Sequence, residues 1–427
     1  MSVQNNKINA RILEGQFGLE KESLRVDQEG FLAHTPHPFD DIKQIDRDFC
    51  ENQIEIITGV HDSVNGVYEE LKSLHHLAIK RLYYLESGKE YIWNCSNPPY
   101  VKNDEDIPIA KFHGPLKDKE LYREYLSQKY GKKKMLYSGI HFNFSFTKEY
   151  LEQAFQESKE KDFRIFKDNL YLNLAQNVVR FGWLIVYLTA ASPLMDGSFL
   201  DYKDLGKDIL SPYASGRCSE IGYWNEFVPI LDYSNLASYV DSIQEYVDLG
   251  QLKSAGELYY PVRLKPLGVN TVNNLKENGV NHIELRNIDL NPLADIGIQK
   301  EDIYFLHLLL VYLSTLKFDS IADFEQVMSI KNIKESARFN DKEIRIETGW
   351  DQSENIRRLT LKVLGQMEEF FNQFDRKDIK NILSYQKNKV ENSRERYVKR
   401  IMNAFEEGYV LHGLHSSEEY AKQVLAE

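Results

Sequence analysis

Cysteine is nearly missing from this 427-residue chain: Cys50, Cys95 and Cys218 stand far apart and form no Cys-x-x-Cys pair. That pattern supports neither a zinc cluster nor a disulfide framework. Reduced thiols in a cytoplasmic protein are the simpler reading. Long apolar runs are missing too. The two strongest, 181–191 and 304–316, fall short of the roughly 20 residues needed to cross a bilayer and read as buried helices. Residues 1–9 are polar and lack the apolar stretch of a secretory signal. Positive charge is in deficit, with 53 Lys and Arg against 65 Asp and Glu, a net −12. That balance argues against a nucleic-acid backbone as the main partner, since it calls for clustered Lys and Arg. Finally, there is no glycine-rich phosphate loop. The Gly-Lys pairs at Gly88, Gly131 and Gly206 lack the earlier glycine such a loop needs, and no dinucleotide fingerprint opens a helix.

The chain does contain alternating strand-like and helical segments. Strand character runs from Gly15 to Val26, and again over Asp48 to Thr58. Asp62 or Ser63 can cap a helix reaching about Leu85, with Val67, Leu71, Leu74 and Leu77 on one side. Tyr91 to Tyr100 reads as a loop with a short edge strand, and Leu121 to Tyr130 as a helix. Met135 to Phe146 has the clearest strand alternation, with Ile140, Phe142, Phe144 and Phe146 between His141, Asn143 and Ser145. Phe163 to Ala191 is a long helical tract that Pro193 should stop. Asn281 to Asp289 is a further strand, and everything after about Gln299 reads as helix. The expected class is α+β, with helices on one side of a sheet.

Four of these segments place ionisable residues on a single face. Glu20 and Glu22 are two residues apart and point the same way in a strand. Glu51, Gln53 and Glu55 share a face in the second segment, with Asp48 just before it. His141 and Asn143 stand opposite an aromatic-aliphatic face, and Glu284 pairs with Arg286. Taken singly, each is the ordinary solvated side of an antiparallel strand. Taken together, four or more carboxylates around one imidazole repel unless cations join them. Such donors suit Mg²⁺ or Mn²⁺ better than zinc. Any nucleotide here must be held by metals and arginines, because no glycine loop is available.

Eight strings in order carry a family resemblance: GLEKESLRV at Gly18, DFCENQIEIIT at Asp48, LYREYL at Leu121, SGIHFNFSF at Ser138, RFGWLIVYLTAASP at Arg180, RCSEIGY at Arg217, ELYYPVR at Glu257 and HIELRNIDLNP at His282. With them the chain resembles the bacterial glutamate–cysteine ligases, which are glutamine synthetase-like carboxylate–amine ligases. The resemblance implies a curved, largely antiparallel sheet forming an active-site basin. It implies L-glutamate, L-cysteine and ATP as substrates, with two or three Mg²⁺ ions (Mn²⁺ as an alternative) held by Glu20, Glu22, Asp48, Glu55, His141 and Glu284. Arg286 would contact the phosphates, and Arg286, Glu284 and Glu55 would form the catalytic group. Tyr122, Arg123, Arg217, Tyr223 and Tyr259 would line the amino-acid pocket, where the donor fork of Arg217 suits a carboxylate. The implied reaction passes through a γ-glutamyl phosphate, which the amine of cysteine then attacks. Cys218, beside Arg217, reads as a wall residue or a redox-vulnerable thiol.

Ser23 stands where the family more often has threonine. The chain ends early relative to its longer members and carries no sign of an ATP-grasp module for adding glycine. The expectation is one catalytic domain over 1–427, with a strand-bearing core at 1–299 and a mostly helical region at 300–427. Two other readings remain open from sequence: a γ-glutamyl ligase for another small amino acid, and a silent metal- or nucleotide-binding paralogue.

Overall fold

The computed structural model describes residues 9–112, 114–199 and 212–427. The N-terminal stretch 1–8 and the Gly206-Lys pair lie outside them. Seven strands form the main sheet: β1 (Gly15–Val26), β2 (Ile45–Arg47), β3 (Gln53–Ile57), β4 (Tyr91–Trp93), β5 (Gly139–Phe146), β6 (Val262–Lys265) and β7 (His282–Asp289). Their order is β2-β3-β1-β5-β7-β6, with β4 pairing the far end of β1, and every pairing is antiparallel. The chain is thus an α+β protein, as its segment pattern implies.

The period-2 alternation of β1 and β5 decides which side of the sheet is covered. Leu19 on β1 and Phe142 and Phe144 on β5 are fully buried on one side. There the helices Val64–Tyr83 and Phe163–Thr189 pack, the first on β1, β3 and β4, the second on β6 and β7. Lys21, on that same side, is buried and hydrogen-bonds through Nζ to His75 and Asn94, each at 2.9 Å. Ser63 caps the first of these helices by accepting from the Gly66 N–H. The second runs to Thr189 just before Pro193, as the proline dictates. Glu20, Glu22, His141 and Glu284 occupy the opposite side of the sheet.

Three local differences from the sequence reading have physical causes. The strand expected from Asp48 begins at Gln53, because the chain turns first: Gln53 N–H donates to the Cys50 oxygen and Asp48 N–H to the Gln53 oxygen, both at 3.0 Å. Glu51 therefore leaves the face of Glu55. Its carboxylate instead accepts from the main-chain N–H groups of His37 and Lys111. Beyond Gln299, a hairpin of β8 (Arg345–Gly349) and β9 (Gln352–Asn355) interrupts the helices. Asp351 adopts a left-handed φ of 54° in its turn, a conformation Asp tolerates better than most residues.

The third difference is a bulge. Ile140 faces Ile288 but Phe142 faces Leu285, so two residues of β7, Arg286 and Asn287, oppose His141 alone. A bulge puts one residue out of step with the ladder and re-aims its neighbours. Here the Arg286 oxygen accepts from Arg217 Nη1 at 2.7 Å, and Asn287 turns its amide to the Gly182 oxygen on the helical side.

Candidate active site

A cavity of about 250 Å³ opens on the uncovered side of the sheet. Its floor comes from β1, β3, β5 and β7. Its walls come from the helix Lys117–Tyr130, the turn at 217–223 and the segment leading into β6. Glu20, Glu22, Asp48, Glu55, His141, Glu284 and Arg286 all line it, as do Tyr122, Arg123, Arg217, Tyr223 and Tyr259. All twelve residues singled out in the sequence thus meet in one space, although they span positions 20 to 286.

His141 sits among the carboxylates. Its Nδ1 lies 3.0 Å from Glu20 Oε2 and 3.8 Å from Glu284 Oε1. Burial, helped by the charge of Arg286, pushes its pKa down to about 4, so the imidazole is neutral near pH 7. Burial works to raise the Glu20 pKa and Glu284 adds to this, but the bond with His141 and the charge of Lys265 carry it below the ordinary value. An ionised carboxylate can only accept, so Nδ1 holds the proton and Nε2 presents a lone pair. Among the described residues that buried Nε2 makes no hydrogen bond, although Glu22 Oε1 lies 3.5 Å from it.

The remaining carboxylates divide by their neighbours. Glu284 is fully buried, yet Arg286 Nη1 and Lys265 Nζ, each 3.1 Å away, hold it well below the usual carboxylate range against the pull of burial. Glu22 accepts from the Gly139 N–H at 3.0 Å, but burial and the charge of Asp48 push it up to about 8 despite Arg217 and Arg286. Burial also raises Asp48, though Arg123 and Arg286 oppose it. Glu55 is also driven well above the usual carboxylate range, by burial and then by Asp48, Glu20 and Glu22, with no cation among its principal neighbours. The charge repulsion converges on Glu55.

Donor atoms of Glu20, Glu55 and His141 lie within 4.8 Å of one another. Carboxylate oxygens, one neutral imidazole with an unused lone pair and an uncompensated negative charge fit a hard divalent cation such as Mg²⁺ or Mn²⁺.

The cations are placed by backbone. The guanidinium of Arg217 lies against Gly139, where any side chain would intrude: a Cβ there would sit 2.5 Å from the guanidinium carbon. Arg123, by contrast, reaches the wall with most of its donors engaged. Nε donates to the Asp48 oxygen and Nη1 to the Lys119 oxygen. Tyr223 and Tyr259 pack with ring centroids 4.1 Å apart. Cys218 is buried outside the lining of this cavity, with its pKa raised to about 12 by burial. Arg263 and Lys265 also line the cavity. Sequence reasoning passed over both, although Val262-Arg-Leu-Lys alternates as a strand would and puts the two cations on one face.

Comparison with known proteins agrees with this geometry. The sequence profile of the glutamate-cysteine ligase family matches residues 1–255 and 244–336. The chain belongs to the glutamate–cysteine ligase family. It is 33% identical over 437 residues to the glutathione biosynthesis bifunctional protein GshAB of Clostridium perfringens, covering 98% of this chain and 55% of that one. The GshAB of Listeria monocytogenes serotype 4b is 40% identical over 321 residues, 72% of this chain and 41% of that one. The chain thus spans about half the length of these bifunctional family members. Two crystal structures superpose with TM-scores of 0.85. One is a bifunctional glutathione synthetase from Pasteurella multocida (26% identity, 98% of this chain, 54% of that one). The other is the glutamate–cysteine ligase of Francisella tularensis in complex with AMP (25% identity, 97% and 89%). No helix among the described residues is long and apolar enough to cross a membrane.

Proposed function

We propose that the chain joins the γ-carboxylate of L-glutamate to the amine of L-cysteine, driven by ATP, giving γ-glutamylcysteine, ADP and phosphate, the first step of glutathione formation. One observation carries this reading. A cavity in a chain of this family gathers five carboxylates and a neutral imidazole beside Arg217, Lys265 and Arg286.

In this reading Glu20, Glu22, Asp48, Glu55, His141 and Glu284 hold two or three Mg²⁺ ions, for which Mn²⁺ is a chemically suitable substitute. When bound, the metal supplies the positive charge that lets two anions, the glutamate carboxylate and the triphosphate, share the cavity. Arg286 stays charged throughout, since Glu284 and Glu22 overcome the effect of burial and raise its pKa. It is suited to receive the transferring phosphoryl group. A γ-carboxylate oxygen of glutamate attacks the terminal phosphorus, the bond to the bridging oxygen breaks, and ADP leaves. The amine of cysteine then attacks the acyl carbon, phosphate departs with the C–O electron pair, and one proton is lost from nitrogen. Tyr122, Arg123, Arg217, Tyr223 and Tyr259 orient the amino acids, with Arg217 directed at a carboxylate. The buried walls shield the acyl phosphate from water.

We read residues 1–427 as one catalytic unit, with the cavity built from 1–299 and the helices of 300–427 supporting it. A cytoplasmic location suits three cysteines that are buried and unpaired.

The test is ADP release by the purified protein with Mg-ATP and glutamate, with and without cysteine, and the product identified by mass. Cysteine-dependent release with γ-glutamylcysteine as product is the expected result. Release only with a different amino acid overturns the choice of acceptor, and no release with any overturns the ligase reading.

A further inference from the structure

Five cations line the cavity, and their donors are not equally committed. Arg123 is engaged with the oxygens of Asp48 and Lys119, and Arg263 with those of Gly256 and Leu258. Arg217 donates to the Arg286 oxygen, and Arg286 donates to Glu284. The ammonium of Lys265 forms one ion pair among the described residues, to Glu284 Oε1 at 3.1 Å. Its side chain is nonetheless only 14% exposed, drawn into the cavity and not loose in solvent.

The placement of these cations is ordered. Arg217 lies against Gly139 and acts on Glu22. Lys265 closes β6, the last strand of the sheet, opposite His282, and acts on Glu20, Glu284 and His282. Arg286 acts on both groups of carboxylates. The cations that act on the carboxylates therefore run Arg217, Arg286, Lys265 across the cavity toward the sheet edge. A single arginine cannot offset a triphosphate chain, whose charge is spread over three phosphorus atoms, whereas a lysine is a compact, mobile point charge suited to phosphate.

We propose that Lys265 is a further catalytic residue: it holds the β-phosphate of the nucleotide at the β6 edge and stabilises charge on the departing ADP. This rests on the ATP-dependent reading above. Glu284 keeps Arg286 when Lys265 turns away to the phosphate, so the buried carboxylate is never left alone.

The experiment is calorimetric titration of the full chain with AMP, ADP and a non-hydrolysable ATP analogue, for wild type, Lys265→Met and Lys265→Arg. Loss of one charge-assisted contact predicts that Lys265→Met binds ADP and the analogue roughly 10- to 100-fold more weakly. AMP affinity, which involves no β-phosphate, should stay within about threefold, and Lys265→Arg should recover most of the loss. Thermal melting confirms that each variant is folded, and Lys265→Gln replaces the methionine variant if that one is not. Unchanged affinity for ADP in a folded charge-neutral variant overturns the assignment alone, as does an equal loss for all three nucleotides. A wild-type chain that binds no adenine nucleotide overturns both this assignment and the ATP reading.

Discussion

Arg217 donates from Nη1 to the main-chain oxygen of Arg286 at 2.7 Å, so two cations of the site are tied through backbone and not through a shared anion. Like charges held this near each other repel, and each is given a separate means of restraint. Glu284 neutralises Arg286 from below, while Arg217 is confined between that oxygen and the bare Cα of Gly139.

Gly139→Ala should therefore behave as a lesion of Arg217. Its Cβ would displace the guanidinium, and kcat/KM should fall on the order of 10- to 100-fold, mostly through the KM of the acceptor amino acid. In an Arg217→Ala background the same substitution should cost under about threefold more, because the clash is gone. Steady-state kinetics on the two single variants and the double variant measures this. Additive losses would place the effect of Gly139 elsewhere.

Glu55→Gln should separate stability from activity. Burial, and then Asp48, Glu20 and Glu22, raise the Glu55 pKa well above that of a free carboxyl. Above the ordinary carboxyl pKa the unfolded chain ionises this group freely while the fold resists its charge, so Glu55 costs the folded state stability as pH rises. With EDTA present, the glutamine variant should melt a few degrees above wild type. The upward shift that MgCl₂ gives the wild type should shrink, and turnover should be lost. A variant that melts lower without metal would contradict the repulsion described around this residue.

His307, in the helix Lys300–Thr315, offers a pH test away from the site. It is buried against Phe17 and Phe144, and burial pushes its pKa from 6.5 to about 4. Below pH 6.5 the unfolded chain binds a proton that the fold refuses, so this group destabilises the protein as pH falls toward 4. Between pH 7 and pH 5 its share of the loss is about 2 kcal/mol. Urea unfolding should show His307→Phe gaining that much on wild type over the interval, and parallel pH profiles would rule it out.

The three thiols should be silent in the native state. Burial raises all three, Cys95 and Cys218 to about 12, so almost no thiolate exists at pH 8. Ellman's reagent should titrate none within minutes in buffer and all three in denaturant. Rapid native reaction of one thiol would mean that its cover opens.

Much of the site is legible because β1, β5 and β7 are two-sided strands whose apolar face is unambiguous. Once Phe142 and Phe144 are assigned to the core, His141 must lie on the other side, and the same logic fixes Glu20, Glu22 and Glu284. The reading fails where alternation continues past the end of a strand. Asp48 to Glu51 keeps the period of β3, but the hydrogen bond from Gln53 to Cys50 folds it into a turn, so Glu51 does not share the face of Glu55 that the alternation predicts. The hairpin at Arg345–Asn355 is short, charged and set between helices, and only Gly-Trp-Asp at its tip marks the turn. The bulge at Arg286 leaves no mark in the sequence. It follows from pairing with a strand that lies some 140 residues earlier.

That distance has a kinetic consequence. Glu20 and Glu284 face each other through His141, yet β7, which carries Glu284, can join β5 in the growing sheet only after most of the chain has been made. Contacts this remote in sequence are slow to form, and a partly synthesised chain would expose the open edge of β5, beside the crowded acids, to the solvent and to other chains. Binding competence should therefore emerge in a single late step, when β7 docks beside β5, and not accumulate gradually during synthesis.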